Sequence, residues 1–193
     1  MKFEENLLKP NYVGIIGAII AFISLILPWW AMSESSSISL YSFSLDVSVY
    51  LYQTTAQMTG VVTGTTFALA NSWYLWAALA LVVIGALLAL AGSVMGKGRM
   101  MLIGGGLLTI IGIIVFAAGL MMDLSNMSGF AGIGLFNSGT IDLGGFGSAS
   151  FSTYLSYGFW LALVAAIIMF IGAFWKPKEK MATPPTAPPA PTP

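Results

Sequence analysis

Long apolar runs alternate with polar loops along this chain, and four of the runs are long enough to cross a bilayer. They cover residues 12–31, 73–95, 100–122 and 157–175, and none of them contains a charged residue. Stretches of about 20 apolar residues match the roughly 30 Å hydrocarbon core of a membrane. The pattern therefore predicts four transmembrane helices.

A cleavable signal peptide is the alternative interpretation of the first run. The apolar stretch is longer than the roughly 7–15 residues of a signal core, and Ala31 is not part of an Ala-x-Ala cleavage site, so a retained helix is favoured. Only residues 96–99 separate the second and third runs, and so short a link predicts an antiparallel helical hairpin. The predicted fold is an all-α membrane protein, a four-transmembrane-helix bundle with a small β-rich extracytoplasmic cap from two loops.

Loop one, residues 32–72, alternates apolar and polar side chains from Tyr41 to Tyr52. A period of two is typical of a half-buried strand. Residues 61–67 predict a second strand, with residues 54–60 in the turn. An isolated hairpin is marginal in water, so its apolar face is predicted to pack on the helix ends, on the other loop or on another subunit. That face is the predicted interaction surface, and it comprises Tyr41, Phe43, Leu45, Val47, Val49 and Leu51.

Loop two, residues 123–156, is rich in glycine. Residues 133–136 and 140–143 flank Asn137-Ser138-Gly139, which predicts a short hairpin with these three residues in the turn. Asn126-Met127-Ser128 matches an N-glycosylation acceptor, a tripeptide that is common by chance. Use and disuse of Asn126 both stay open.

Composition excludes several kinds of chemistry. Hydrophobic residues make up 58% of the 193 and charged residues 7%, against roughly 45–50% and 25% in soluble domains. The absence of cysteine and histidine excludes disulfides, thiolate catalysis, imidazole-bound haem and the usual zinc sites. We expect no cofactor, no bound metal and no enzymatic activity.

The charged residues predict an orientation. All seven basic residues lie on one side of the four-helix topology, and the two long loops carry only acids. By the positive-inside rule, residues 1–11, 96–99 and 176–193 are cytoplasmic. The sequence thus predicts a multi-pass protein of the cell membrane with both termini inside. The basic residues are Lys2, Lys9, Lys97, Arg99, Lys176, Lys178 and Lys180.

Tryptophans lie at the ends of the predicted helices, as in the aromatic belts of membrane proteins. Five fall at the predicted outer interface and one at the inner interface. We interpret them as interface anchors: Trp29, Trp30, Trp73, Trp76, Trp160 and, on the inner side, Trp175.

The predicted helices lack the ionisable groups that mark ion and proton pathways in membranes. Their polar residues are Ser24, Ser93 and Thr109, and each can bond to its own helix backbone. Small residues recur at helix-packing spacing, including residues 104–106, and packing within one chain is favoured over a dedicated oligomer face. The proline-rich residues 181–193 predict a disordered extension, either a spacer or a ligand for a proline-reading partner.

The arrangement resembles the claudin and peripheral myelin protein superfamily over residues 12–175. The shared features are four spans, cytoplasmic termini, a larger first outer loop with β-structure, a smaller second one and a tryptophan at the outer end of the first span. The superfamily's Gly-Leu-Trp signature followed by two cysteines is absent. The resemblance implies lateral self-assembly through outer-loop β-structure and paracellular or envelope contacts. Pro28-Trp29-Trp30 is also similar to the first-span end of small prokaryotic four-span proteins with Leu-Pro-Trp.

The sequence therefore favours a non-enzymatic scaffold, self-assembly or adhesion element that acts through its outer loops. Its expected partners are the lipid bilayer and either a second copy or another membrane protein. Neither nucleic acid nor a small-molecule substrate is expected. The alternatives are an accessory subunit of a larger membrane complex and a pore or small-solute transporter.

Overall fold

The computed structural model describes residues 10–38, 41–60, 65–69, 72–95, 98–126, 134–142 and 147–175. Within these ranges the chain forms the helices α1 (Tyr12–Ile26), α2 (Trp73–Val94), α3 (Arg99–Asn126) and α4 (Tyr157–Phe174). Helices α2, α3 and α4 are long and apolar enough to cross a membrane, whereas α1 is an apolar helix of 15 residues. The described ranges therefore contain three helices of membrane-crossing length.

Helix α1 is shorter than the predicted run of residues 12–31. It ends at Ile26 because Pro28 lacks a backbone N–H and disfavours the helical conformation of the residue before it. Leu27 is accordingly extended, with φ −99° and ψ 154°. Residues 30 and 31, which the apolar pattern assigned to the helix, are the first residues of a strand.

The two loops contribute six strands to one sheet. They are β1 (Trp30–Ile38), β2 (Tyr41–Val49), β3 (Thr54–Thr59), β4 (Thr65–Leu69), β5 (Asn137–Asp142) and β6 (Gly147–Leu155). Every pairing is antiparallel, and the strand order is β4-β3-β2-β1-β6-β5. The pairing of β1 with β6 joins the two loops into a single sheet.

The prediction of an all-α bundle with a small β-rich cap is wrong, because the sheet is a full layer of the fold. The hairpin of β5 and β6, which would be marginal alone, gains stability because β6 pairs with β1 of the four-stranded first loop. Residues 54–60, predicted as a turn, contain β3, and the predicted turn at residues 137–139 lies within β5. Gly139 pairs with Phe151, and the Phe151 ring lies over Gly139, 2.9 Å from where a Cβ on that residue would stand. This contact with the neighbouring strand favours an extended conformation, although the local sequence favours a turn.

All four helices meet the sheet at one end of the bundle, which we call the sheet end; the other is the far end. Helix α1 leads into β1 after three residues, and β6 leads into α4 after Ser156 alone. Trp30 pairs with Leu155, so the start of β1 and the end of β6 lie side by side next to the bundle. Helix α1 begins and α4 ends at the far end.

Each helix packs against two neighbours, in the order α1, α2, α3, α4 and back to α1. Fully buried alanines line these contacts, among them Ala18 of α1 and Ala162 of α4. A Cβ on Gly17 would stand 3.0 Å from the Cγ of Met169. Small side chains allow such close approach of helix backbones, and the predicted packing within one chain is confirmed at these positions.

The buried hydroxyls of the bundle behave as predicted. Each donates to a carbonyl three or four residues earlier in its own helix, so the donor of each hydroxyl is satisfied within the helix. The bonds join Ser24 Oγ to the Ala21 carbonyl (2.6 Å), Ser93 Oγ to the Ala89 carbonyl (2.6 Å) and Thr109 Oγ1 to the Gly105 carbonyl (2.9 Å).

Trp29 holds the sheet on the bundle. Its side chain is fully buried, and its Nε1 donates to the carbonyl of Ser24 in α1 at 2.8 Å. Its backbone N–H donates to the Val49 carbonyl at 2.8 Å, and its own carbonyl accepts from the N–H of Ser156 at 2.9 Å. One residue therefore connects α1, the end of β2 and the junction between β6 and α4.

Asn11 connects three helices at the far end. Its Oδ1 accepts from the N–H of Gly14 at 3.2 Å and so caps α1. Its Nδ2 donates to the Gly172 carbonyl in α4 at 2.6 Å, and its backbone N–H donates to the Ser93 carbonyl in α2 at 2.8 Å. The sequence pattern alone did not single out this residue.

Replacing Asn11 with alanine is expected to lower the free energy of unfolding by about 1–3 kcal/mol, because the helix cap and the side-chain bond to α4 are both lost. Asn11→Ser keeps a cap acceptor and loses only the amide donor, so about half of that loss is expected. Thermal unfolding of the purified protein in detergent measures both variants. Equal losses for the two substitutions would show that the cap contributes nothing.

Candidate functional site

The predicted interaction surface is divided between the core and the outside of the sheet. Val49 and Leu51 are 5% and 0% exposed, so they belong to the core and cannot contact a partner. They are buried because this end of β2 packs against the bundle around Trp29. Phe43, Leu45 and Val47 are half-buried, and the side chain of Tyr41 lies outside the described part of the structure.

The predicted interface anchors also fall into two groups. Trp29 and Trp30 are 0% and 3% exposed, so neither ring can reach lipid headgroups. The indole N–H of Trp30 has no hydrogen-bond partner among the described residues. The exposed rings are those of Trp73, Trp76 and Trp160 near the sheet end and Trp175 at the far end.

A small polar cluster joins α2 to α3 at the sheet end. Ser72 Oγ donates to Asp123 Oδ2 at 2.6 Å, and the same carboxylate accepts from the Tyr74 hydroxyl. Asp123 thus has a structural role. Asn126 is the last residue of α3, and the other two residues of its glycosylation tripeptide lie outside the described ranges.

One face of the sheet is covered by hydroxyl groups, and we call it the hydroxyl face. Strand register places these side chains together, because cross-strand partners point to the same side and successive residues alternate. Most of them are exposed. The hydroxyl face comprises Ser33, Ser35, Ser37, Ser42, Ser44, Ser48, Thr55, Thr59, Ser138, Thr140, Ser148, Ser150 and Ser152.

The hydroxyls form rows across the strands. The central row takes one residue from each of five neighbouring strands, and it spans four strand spacings, roughly 19 Å. At its middle, Ser35 Oγ and Ser150 Oγ lie 2.8 Å apart and share a hydrogen bond. The central row is Thr59, Ser44, Ser35, Ser150 and Thr140.

Two grooves of about 550 Å³ and 340 Å³ lie side by side on the hydroxyl face, which makes this face concave. The larger groove runs over Ser33, Ser138 and Ser152 as well as the whole central row except Thr59, which lines the smaller groove. The smaller one continues towards the tips of the strands at Ser37 and Ser148. Ser35, Ser44 and Ser150 line both grooves, so the two grooves adjoin each other.

The grooves are almost uncharged. Asp46 and Glu34 are the charged residues in the lining of the larger groove, but strand register places the side chain of Glu34 on the opposite face of the sheet. Neither lining contains lysine or arginine. Within the described residues, no group of three or more histidine, cysteine, aspartate or glutamate side chains could hold a metal ion. What this surface offers a ligand is an ordered set of neutral donors and acceptors.

The two edge strands of the sheet run in opposite directions. Because all neighbours are antiparallel, β1, β3 and β5 run away from the bundle, while β2, β4 and β6 run towards it. In the described part of the chain, β4 pairs only with β3, and β5 pairs only with β6. Neither edge contains proline or lysine, the residues that commonly block edge pairing.

Sequence reasoning noticed the polar side of β2 but missed the face as a whole. A signal was present, since serines alternate with other residues at Ser33, Ser35 and Ser37 and again at Ser148, Ser150 and Ser152. The alternation was hidden in loop one because Ser36 also occupies the opposite face. The chain matches no protein-family model and no curated protein.

Proposed function

We propose that this protein is a non-enzymatic, multi-pass membrane scaffold with four spans, whose copies join side by side through the edges of their sheets. The observation that carries the proposal is the opposite direction of β4 and β5. The absence of cysteine and histidine from the sequence agrees with a role that involves no catalysis.

Copies in one membrane share one orientation, with every sheet on the same side. When β5 of one copy lies beside β4 of the next, a strand that leaves the membrane neighbours one that returns to it. Antiparallel pairing then continues across the contact, and open backbone N–H and C=O groups of both edges are satisfied. Each copy uses two different edges, so the contact is heterologous and generates rows rather than closed pairs.

The proposed orientation places the sheet outside the cell and both chain ends inside. All four acids of the described residues lie at the sheet end, whereas Arg99 lies at the far end, with its Cζ 4.5 Å from the centroid of the Phe174 ring. This distribution supports the orientation through the positive-inside rule. The fourth span is α1, extended by the apolar residues 27–31.

The resemblance to claudins and peripheral myelin proteins supports the same function, since it implies lateral self-assembly through outer-loop β-structure. This chain has no cysteines for a loop disulfide. In the proposal, continuous strand pairing between β1 and β6 holds the two loops in the shape that self-assembly needs.

Cysteine cross-linking tests the proposal cleanly, because the native chain has no cysteine. One cysteine is scanned along residues 65–69 of β4, and a second replaces Thr140 of β5. Within one copy these strands are five spacings apart, roughly 24 Å, far beyond the about 7 Å limit for a disulfide. Mild oxidation in membranes should produce a ladder of dimers, trimers and larger species from at least one doubly substituted variant.

Single-cysteine variants should remain monomeric, since like edges do not meet in such a row. Ile141→Lys on β5 should suppress the ladder by placing a charge at the edge. Met58→Lys is the matched control, because Met58 is also exposed on the side opposite the hydroxyl face but lies on the inner strand β3. Dimers from single variants, or no ladder from any pair, would contradict the proposal.

A further inference from the structure

We propose that the hydroxyl face is a binding site for an extended, uncharged, polyhydroxylated chain, that is, a neutral glycan outside the membrane. This goes beyond self-assembly, because the site lies on the face of the sheet rather than on its edges. The inference rests on four properties of that face: its composition, its charge, its geometry and its distance from the helices.

The composition of the face is not explained by stability of the sheet. Strands favour β-branched and aromatic residues, whereas the central row places serine at Ser44, Ser35 and Ser150 on three adjacent strands. Positions that go against local preference concentrate at functional sites. A solvated face would tolerate threonine, lysine or glutamate equally well, yet small hydroxyls dominate here.

The charge of the grooves selects the class of ligand. An anionic chain is held by arginine or lysine, and neither residue lines either groove. Asp46 in the larger groove adds repulsion for an anion. A polycation would require more carboxylates than the single one, Asp46, that register places on this face, so a neutral ligand fits the electrostatics best.

The geometry suits repeated hydroxyl groups. A serine hydroxyl donates one hydrogen bond and accepts two, as a sugar hydroxyl does. The strands repeat this group at intervals of about 4.8 Å across the sheet, and the bonded pair Ser35 and Ser150 lines both grooves. A chain of hydroxylated units lying across the strands can therefore form the same kind of contact in each unit.

The distance from the helices identifies the source of the ligand. Strand β1 begins at Trp30, next to the bundle, and Ser35 is five residues further along the strand. Ser35 therefore lies up to roughly 17 Å from the end of the bundle. The headgroup layer on each side of a bilayer is only about 5–8 Å thick. A glycolipid headgroup would remain near the base of the sheet, whereas a long glycan can reach the grooves.

The test uses the full-length protein in nanodiscs made without glycolipid. Binding is measured for two neutral polysaccharides, dextran and mannan, and for the polyanion dextran sulfate. We expect saturable binding of at least one neutral polymer and weaker binding of dextran sulfate. The double variant Ser35→Val, Ser150→Val should weaken binding about tenfold, the effect of losing two or so hydrogen bonds. Valine is a better strand former than serine, so this variant should keep its fold, and its thermal unfolding verifies this.

Thr55→Val is the matched control, because Thr55 is on the hydroxyl face but lines neither groove. It should bind as the unmodified protein does. The edge variant Ile141→Lys should also bind normally, so a failure of self-assembly and a failure of glycan binding are distinguishable. The proposal is overturned if neither neutral polymer binds in these glycolipid-free nanodiscs, if dextran sulfate binds more tightly, or if the double valine variant binds unchanged.

Discussion

Replacing Trp29 with alanine should lower the free energy of unfolding by about 3–5 kcal/mol, the usual cost of removing a large buried aromatic ring. The ring has no exposed surface and packs edge-on against Phe116 of α3 and Phe159 of α4, at centroid distances of 5.1 and 6.1 Å. Gly158 makes room for it, since a Cβ there would collide with the indole. The substitution leaves a cavity at the place where Trp29 connects α1, the end of β2 and the junction between β6 and α4. We therefore expect the sheet to separate from the bundle early in unfolding.

Two phenylalanine variants separate the role of Trp29 from that of its neighbour. Trp29→Phe keeps most of the ring contacts but loses the bond to the Ser24 carbonyl, and a loss of about 0.5–1.5 kcal/mol beyond the packing change is expected. Trp30→Phe removes an N–H that has no partner within the described residues, so it should cost less or even stabilise. Thermal unfolding in detergent ranks the variants. A larger loss for Trp30→Phe than for Trp29→Phe would contradict the role assigned to Trp29.

Adjacent glycines in α3 should respond to alanine with opposite signs. Gly105→Ala is expected to destabilise by about 1–3 kcal/mol, because the new methyl overpacks the contact with α2. Its Cβ would stand 2.5 Å from the Gly85 carbonyl oxygen and 3.0 Å from the Ala89 nitrogen. At Gly104 nothing lies within 4 Å of a Cβ, so Gly104→Ala should stabilise the helix by up to about 1 kcal/mol.

The two variants differ by one position and carry the same chemical change, so each serves as the control for the other. The free energy of unfolding, measured by denaturant titration in mixed micelles, gives the sign. Gly85→Ala should behave like Gly105→Ala, because its Cβ would stand 2.6 Å from the Gly105 carbonyl oxygen. Combining the two should give a loss that is not the sum of the single losses. Losses of equal size at positions 104 and 105 would show that the helices do not approach as closely as described.

The helices were predictable because long uncharged apolar runs have few alternative structures. The run at residues 157–175 became α4 with almost unchanged bounds. The end of α1 was missed because residues 27–31 are as apolar as the helix before them. Hydrophobicity alone cannot show whether a short apolar segment is the end of a buried helix or the beginning of a buried strand. Pro28 was the local signal that the helix stops.

The sheet was only partly predictable, because its stability comes from pairing between distant segments. Asn137-Ser138-Gly139 has the local preferences of a turn, and its extended form is favoured by pairing with the neighbouring strand, where Phe151 covers Gly139. The serines of β1 give no hydrophobic alternation, since one face carries hydroxyls and the other carries Glu34 and Ser36 beside apolar residues. The pairing of Trp30 with Leu155 joins segments that no local pattern connects.

The candidate site was harder to predict than the fold. Alternation in β2 identified an apolar face as the place of interaction, yet the most apolar positions, Val49 and Leu51, are buried. Apolar residues in a strand usually lie in the core of their own protein, and they are candidates for partner binding only if the structure leaves them exposed. The hydroxyl face emerges only when five strands are placed in register, and a linear sequence does not show that arrangement.

The unequal lengths of the helices have a consequence for the surrounding lipid. Helix α1, with 15 residues, rises about 22 Å, and α3, with 28, rises about 42 Å, around a hydrocarbon layer of roughly 30 Å. In the proposed four-span arrangement, the apolar base of the sheet on the α1 side has to enter the layer or the bilayer has to thin. Either adjustment costs fractions of a kcal/mol per Å of mismatch. In the proposed orientation the protein presents a short apolar belt on one flank and a long belt on the other, so a row of copies would border two zones of different membrane thickness.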